Sequence, residues 1–261
     1  MAIKFLRPAL TAVATVLVLG TGLVVGTDTT ADDAYAAGTP TAPSATPAAP
    51  PAAAAAPAAP AASAPKPAAS AVGALFANGS HFCSASVVHS AAGDLVLTAA
   101  HCVKDGMSFA PGYHDGVAPF GMWTVASTAV ADGWTTSADP DLDFAFLTVH
   151  QAGNTNSVES VTGANVLGTN RGFTHRITLT GYPDTSDSPV VCEGDTTQSD
   201  TYQQRVACPG FPDGTSGGPW VTGGAVVGVI GGFELGGDTP DVSYSAYFDD
   251  DIAKLYAAVA G

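Results

Sequence analysis

The sequence predicts an all-β domain closed by a single C-terminal α-helix. Three observations carry this prediction. Ten short apolar or alternating runs follow one another between residues 73 and 248, and Gly, Asp, Asn, Pro or Ser clusters separate them. Between these runs no stretch has the apolar periodicity of a core helix, which indicates a barrel or sandwich. Only after Asp249-Asp250-Asp251 do Ile252, Leu255, Tyr256 and Val259 recur at helical spacing, behind acidic residues that suit a helix N-terminus.

Taken in order, the chain begins with a segment that does not belong to the domain. Residues 1–36 hold Lys4 and Arg7, an apolar stretch over 8–25, and then Ala34-Tyr35-Ala36. That order is expected of a secretory signal peptide cut after Ala36. The stretch is about as long as a short membrane span, but its glycines and threonines and the small-residue site favour cleavage. Residues 37–70 are expected to form a disordered, semi-rigid spacer or pro-segment. Positions 39–70 contain nine prolines and sixteen alanines, too little apolar bulk to offset chain entropy. Residues 71–261 remain, enough for one large domain or two lobes that share a core.

The expected strands of that domain are GALF (73–76), FCSASVV (82–88), LVLTAA (95–100), MWTVAS (122–127) and FAFLTV (144–149). RITLTGY (176–182), QRVAC (204–208), PWVT (219–222), AVVGVI (225–230) and VSYSAYF (242–248) follow. Asn78-Gly79-Ser80 fits a glycosylation acceptor, a short motif that often arises by chance.

Charge narrows the function classes. The chain has 8 Lys+Arg against 23 Asp+Glu, a net charge of −15. Three residues of each sign precede residue 71, so the domain itself carries the whole imbalance. With no basic cluster to follow a phosphate backbone, nucleic-acid binding is not expected. Four cysteines, Cys83, Cys102, Cys192 and Cys208, form an even set that suits two disulfides in an exported protein. Three pairings exist, and the sequence neighbours Cys83–Cys102 and Cys192–Cys208 close the shortest loops. No C-x-x-C pair suggests zinc. Asp139-x-Asp141-x-Asp143 lacks the glycine and terminal glutamate of a calcium loop. No cofactor or metal is expected.

The chemistry gathers at PDGTSGGPW (212–220). Ser216 lies in Gly214-x-Ser216-x-Gly218, which also fits the nucleophile elbow of α/β-hydrolases, but an elbow needs its histidine to follow, and the last histidine here is His175. A subtilisin order needs a parallel α/β setting that is absent. The order His, Asp, Ser is left. Of the six histidines only His101 ends a strongly apolar strand, beside a cysteine, where a general base would be rigidly held. His81, His89, His114, His150 and His175 read as surface or turn residues. Among eleven intervening aspartates, Asp143 opens the apolar run FAFLTV, and a carboxylate there needs hydrogen-bond partners.

HFCSASVV with LVLTAAHC, DFAFL and GTSGGP together resemble the signature blocks of the chymotrypsin/trypsin-like serine proteases, particularly the small secreted bacterial members. The resemblance spans nearly all of 72–261. It implies two six-stranded antiparallel β-barrels with the site in the cleft between them. It implies His101 as general base and acid, Asp143 as its orienting partner, Ser216 as nucleophile, and the backbone N–H groups of Gly214 and Ser216 as oxyanion hole. It matches Cys83–Cys102 to the disulfide that anchors the histidine loop. The implied partner is a protein or peptide substrate, and the mature protein is expected to be a secreted monomer with no stable membrane association.

The sequence departs from the family pattern in three places. Thr215 replaces the aspartate that pairs with a newly cut N-terminal amine, so a preformed site is expected. Gly210 stands where a trypsin-type enzyme carries its specificity aspartate, and Glu234 reads as a solvated loop residue. Val229-Ile230-Gly231-Gly232 replaces V-S-W-G, removing a serine that supports the aspartate and a tryptophan that walls the groove. Backbone groups of Gly231 and Phe233 are expected to pair with an extended substrate. Two other functions stay open: a catalytically weak protease-fold binding protein, and an esterase using the same triad.

Overall fold

A computed structural model describes residues 69–261. The expected signal peptide (1–36) and all but the last two residues of the spacer (37–70) lie outside the described residues. The described chain enters through a 3-10 turn, Ala69–Ala71, and passes directly into the first strand.

Six strands form a closed antiparallel barrel: β1 (Val72–Ala77), β2 (Ser80–Val87), β3 (Leu95–Thr98), β4 (Ser108–Pro111), β5 (Trp123–Val130) and β6 (Ala145–His150). Their order around the barrel is β1-β2-β3-β6-β5-β4. Asn78 and Gly79 join β1 to β2 with φ of 53° and 85°. Two left-handed residues are what a two-residue hairpin needs, and Asn-Gly is the pair that adopts them most readily. Leu75, Leu95, Leu97, Phe109, Trp123, Phe146 and Leu147 on these strands are all essentially without solvent exposure.

The second half is a seven-stranded sheet: β7 (Val166–Leu167), β8 (Arg176–Gly181), β9 (Val190–Asp200), β10 (Gln203–Ala207), β11 (Pro219–Thr222), β12 (Ala225–Val229) and β13 (Val242–Ala246). The order is β13-β10-β9-β8-β11-β12-β7, with β7 parallel to β12. The expected six strands are β8 to β13, and β7 is an addition at the edge. In place of a regular ladder, three bonds tie β12 and the residues after it to β13 and β10. Gly231 N–H donates to Tyr244 O (3.0 Å), Val229 N–H to Ser245 Oγ (3.1 Å) and Gln204 Nε2 to Val227 O (2.7 Å). The sheet is thereby curled round its own core of Ile177, Leu179, Val206, Phe211, Trp220 and Val227.

Three helices accompany the strands: α1 (Asp132–Ser137), α2 (Val158–Thr162) and α3 (Asp250–Val259). The expected C-terminal helix is α3. Asp249 caps it by accepting Asp251 N–H at 2.8 Å. Ile252 is fully buried, and Leu255, Tyr256 and Val259 pack on the first barrel's core. Both disulfides join the cysteines expected, Cys83–Cys102 and Cys192–Cys208.

Candidate active site

The first barrel supplies His101 and Asp143 from the ends of two neighbouring strands. After β3 the chain makes a 3-10 turn, Ala100–Cys102, held by Cys102 N–H to Ala99 O (3.2 Å) and Val103 N–H to Ala100 O (3.0 Å). The Cys83 bridge then fastens this turn to β2. Opposite, the 3-10 turn Pro140–Leu142, capped by the Asp139 side chain, delivers Asp143 immediately before Phe144 enters the core.

Asp143 has no exposure to solvent. A bare carboxylate in that position would be costly, yet its two oxygens accept three hydrogen bonds. Oδ1 takes the His101 backbone N–H at 2.9 Å, and Oδ2 takes the His101 ring Nδ1 at 2.7 Å and the Gly232 N–H at 2.8 Å. An Nδ1–H given to the carboxylate leaves Nε2 as the imidazole's acceptor. Gly231 must stay small here. A Cβ on it would lie 2.9 Å from Asp143 Oδ2 and 3.2 Å from Ala99 Cβ.

Ser216 belongs to the second half, on the loop between β10 and β11, and is half-buried. Its carbonyl accepts Ser84 N–H from β2 at 2.7 Å, which ties the loop to the first barrel. On its far side Gly217 N–H donates to Ile230 O (2.7 Å), and Ile230 N–H returns to Gly218 O (2.9 Å). Gly217 has φ of 78°, and a Cβ there would strike Ser84 O and Thr98 Oγ1 and approach Ala99 N to 3.1 Å. The residue beside Ser216 is thus pressed against the strand end that carries His101. No hydrogen bond joins Ser216 Oγ to the imidazole among the described residues.

The amides around Ser216 alternate in use. Thr215 N–H is taken by Pro212 O at 3.2 Å. Among the described residues neither Gly214 N–H nor Ser216 N–H donates to a backbone carbonyl. Thr215, almost wholly buried, also gives its hydroxyl to Pro212 O at 2.6 Å. Ser84 Oγ donates to Gly214 O (3.1 Å) and accepts Tyr182 N–H (2.8 Å). Neutral hydrogen bonds from Thr215 and Ser84 hold the loop where the family pattern has an aspartate and a buried ammonium.

One expectation needs correction, that for His81, and other residues sit in settings that the sequence does not show. Gly231 N–H is committed to Tyr244 O, and Phe233 N–H to Gln203 Oε1 at 3.1 Å. A substrate that pairs with either of these two donors has first to break its bond. The support expected from the missing serine comes instead from the Gly232 amide. His81 is not a surface residue. It is buried on β2 beside Phe76 and Tyr113, with Nε2 3.8 Å from Asp187 Oδ1. Gly210 sits exposed in a turn with φ of 92° and open space around it, and Glu234 is likewise exposed. The cavity next to the Ser216 loop, about 440 Å³, is lined instead by Phe211, Pro212, Asp213, Ile230, Leu235 and Gly236, among others.

Known proteins share this fold. Residues 79–229 match the family described as the trypsin-like peptidase domain. The chain belongs to that family. Among solved structures it resembles the protease Anisep from Arthrobacter nicotinovorans, with 25% identity and a TM-score of 0.65 over 75% of this chain and 97% of that one. It also resembles the thermostable serine protease AL20 from an extremophilic microorganism, with 27% identity and a TM-score of 0.65 over 74% and 97% of the two chains. A Glu endopeptidase shares the fold at 18% identity, with a TM-score of 0.60 over 74% and 91%. Among curated proteins none matches in sequence. The chain is a serine-type peptidase of chymotrypsin-like fold.

Proposed function

We propose that the protein is a secreted serine endopeptidase that hydrolyses peptide bonds through an acyl-enzyme intermediate. The observation that supports this most is the solvent-free Asp143 carboxylate fixed on His101 Nδ1 at 2.7 Å, with the Ser216 loop packed on the same strand end. In this reading His101 Nε2 takes the Ser216 hydroxyl proton as Oγ bonds to the substrate carbonyl carbon. The carbonyl oxygen becomes an oxyanion facing the Gly214 and Ser216 N–H groups, each such donor contributing roughly 3 kcal/mol. As the C–N bond breaks, His101 passes its proton to the departing amine. A water molecule then repeats the sequence and releases the acid. Asp143 keeps the imidazole in the tautomer that makes Nε2 basic and stabilises the imidazolium when it forms.

Secretion rests on the leader at 1–36 and on two disulfides, which persist in oxidising surroundings. Among the described residues no helix is long and apolar enough to cross a membrane. The mature enzyme would act as a monomer on protein or peptide substrates. Casein digestion by the exported protein and by Ser216→Ala tests the reading. Fragments from the first and none from the second are expected. Hydrolysis of a simple ester without casein cleavage would move the assignment to an esterase, and inertness on both would move it to a binding protein.

A further inference from the structure

The amide side chain of Gln203, the first residue of β10, reaches both sides of the Asp143 carboxylate. It is 5% exposed, and all its polar atoms have partners. Nε2 donates to Pro140 O at 3.0 Å and to Asp141 Oδ1 at 2.7 Å. Oε1 accepts Phe233 N–H at 3.1 Å. The first two partners lie in the 3-10 turn that delivers Asp143. The third follows Gly232, whose N–H binds Asp143 Oδ2. Partners fix the orientation of the amide, because a flip would set NH₂ against N–H and oxygen against two acceptors.

We propose that Gln203 is a positioning residue for Asp143. It clamps the turn before the carboxylate to the segment whose amide holds the carboxylate's second oxygen, and so helps to set how the two halves approach each other at the site. This rests on the reading of Asp143 as the carboxylate partner of His101 in catalysis. The same contact makes Gln203 a competitor for Phe233 N–H, and a peptide that pairs there has to displace Oε1. Gln204, its neighbour, provides the contrast. It is also buried, but it bonds Val227 O of β12, and none of its side-chain hydrogen bonds reaches the Asp143 turn.

The test compares Gln203→Met with Gln204→Met in the secreted protein. It measures thermal unfolding, the rate at which a fluorophosphonate labels Ser216, and the deshielded NMR signal of the proton between His101 and Asp143. Gln203→Met should label about tenfold more slowly and shift or broaden that signal, since small misplacements of catalytic groups are costly. Gln204→Met should keep both properties within about twofold while losing comparable thermal stability. Equal losses in the two variants, or an unchanged rate in Gln203→Met, would overturn the proposal. If Gln203→Met does not fold, Asp141→Ala takes its place, removing one clamp contact from a half-buried position. A threefold slower reaction, roughly, supports the clamp, and an unchanged one refutes it. A wild type that takes no label overturns the triad reading itself, a different result from a labelled wild type with an unaffected Gln203 variant.

Discussion

Asp143 concentrates the chemistry in two oxygens, and each of its three donors is a separate handle. Asp143→Asn preserves the shape but offers an NH₂ group where acceptors are needed. The expected outcome is a fall in kcat of about 10⁴ with little change in fold, read by peptide turnover and circular dichroism. Gly231→Ala forces a methyl to within 2.9 Å of Asp143 Oδ2. Overpacking of that kind costs roughly 1–3 kcal/mol, so denaturant unfolding should show the loss together with slower catalysis. At this scale legibility in the sequence was uneven. His101 and Asp143 stood out because each meets an apolar strand. Gly232 did not, because its contribution is a backbone N–H, which no side-chain pattern reveals. His81 was misjudged because Tyr113, which helps to cover it, comes from a distant part of the chain.

Among the elements, the loop over 212–218 explains how a threonine suffices beside the nucleophile. Thr215→Val removes the 2.6 Å hydroxyl bond to Pro212 O but keeps the side chain's bulk against Gly181. A loss of about 1 kcal/mol and slower fluorophosphonate labelling are expected. Replacing both Cys83 and Cys102 with alanine frees the histidine turn. With a sequence separation of 19 between the two cysteines, the chain-entropy estimate is about 3 kcal/mol, to be read as a lower midpoint in urea. Just after β4, Tyr113 O–H donates to Asp187 Oδ1 at 2.6 Å. That hydrogen bond, aided by burial, pushes the phenol from 10.0 up to about 12. The folded state then holds the proton more tightly than the unfolded chain. The resulting stability is present below pH 10 and lost as pH rises towards 12, and Tyr113→Phe should flatten that decline. Each of the ten apolar runs became a strand, but β4, β7 and β9 went unread. β9 is mostly polar, with Gly194 and Thr196 its only buried residues, so its place comes from ladders with β8 and β10 and not from any apolar pattern.

For the molecule as a whole, the two halves meet where Ser84 N–H holds Ser216 O and Gly232 N–H holds Asp143. The charge of −15 plays no part in these contacts; its physical consequence is solubility. The order of His101, Asp143 and Ser216 along the chain could be read directly, because the residue blocks that flank them are specific. How the second half closes could not be read, since a few bonds from the β12 end to β13 and β10 replace a repeating ladder. The claim on which everything else depends is that Ser216 is a nucleophile activated by His101. Mass spectrometry of the protein after fluorophosphonate treatment tests it most directly. The account predicts a single adduct on Ser216 that His101→Ala nearly eliminates. An unlabelled Ser216, or labelling equally fast without His101, would contradict it.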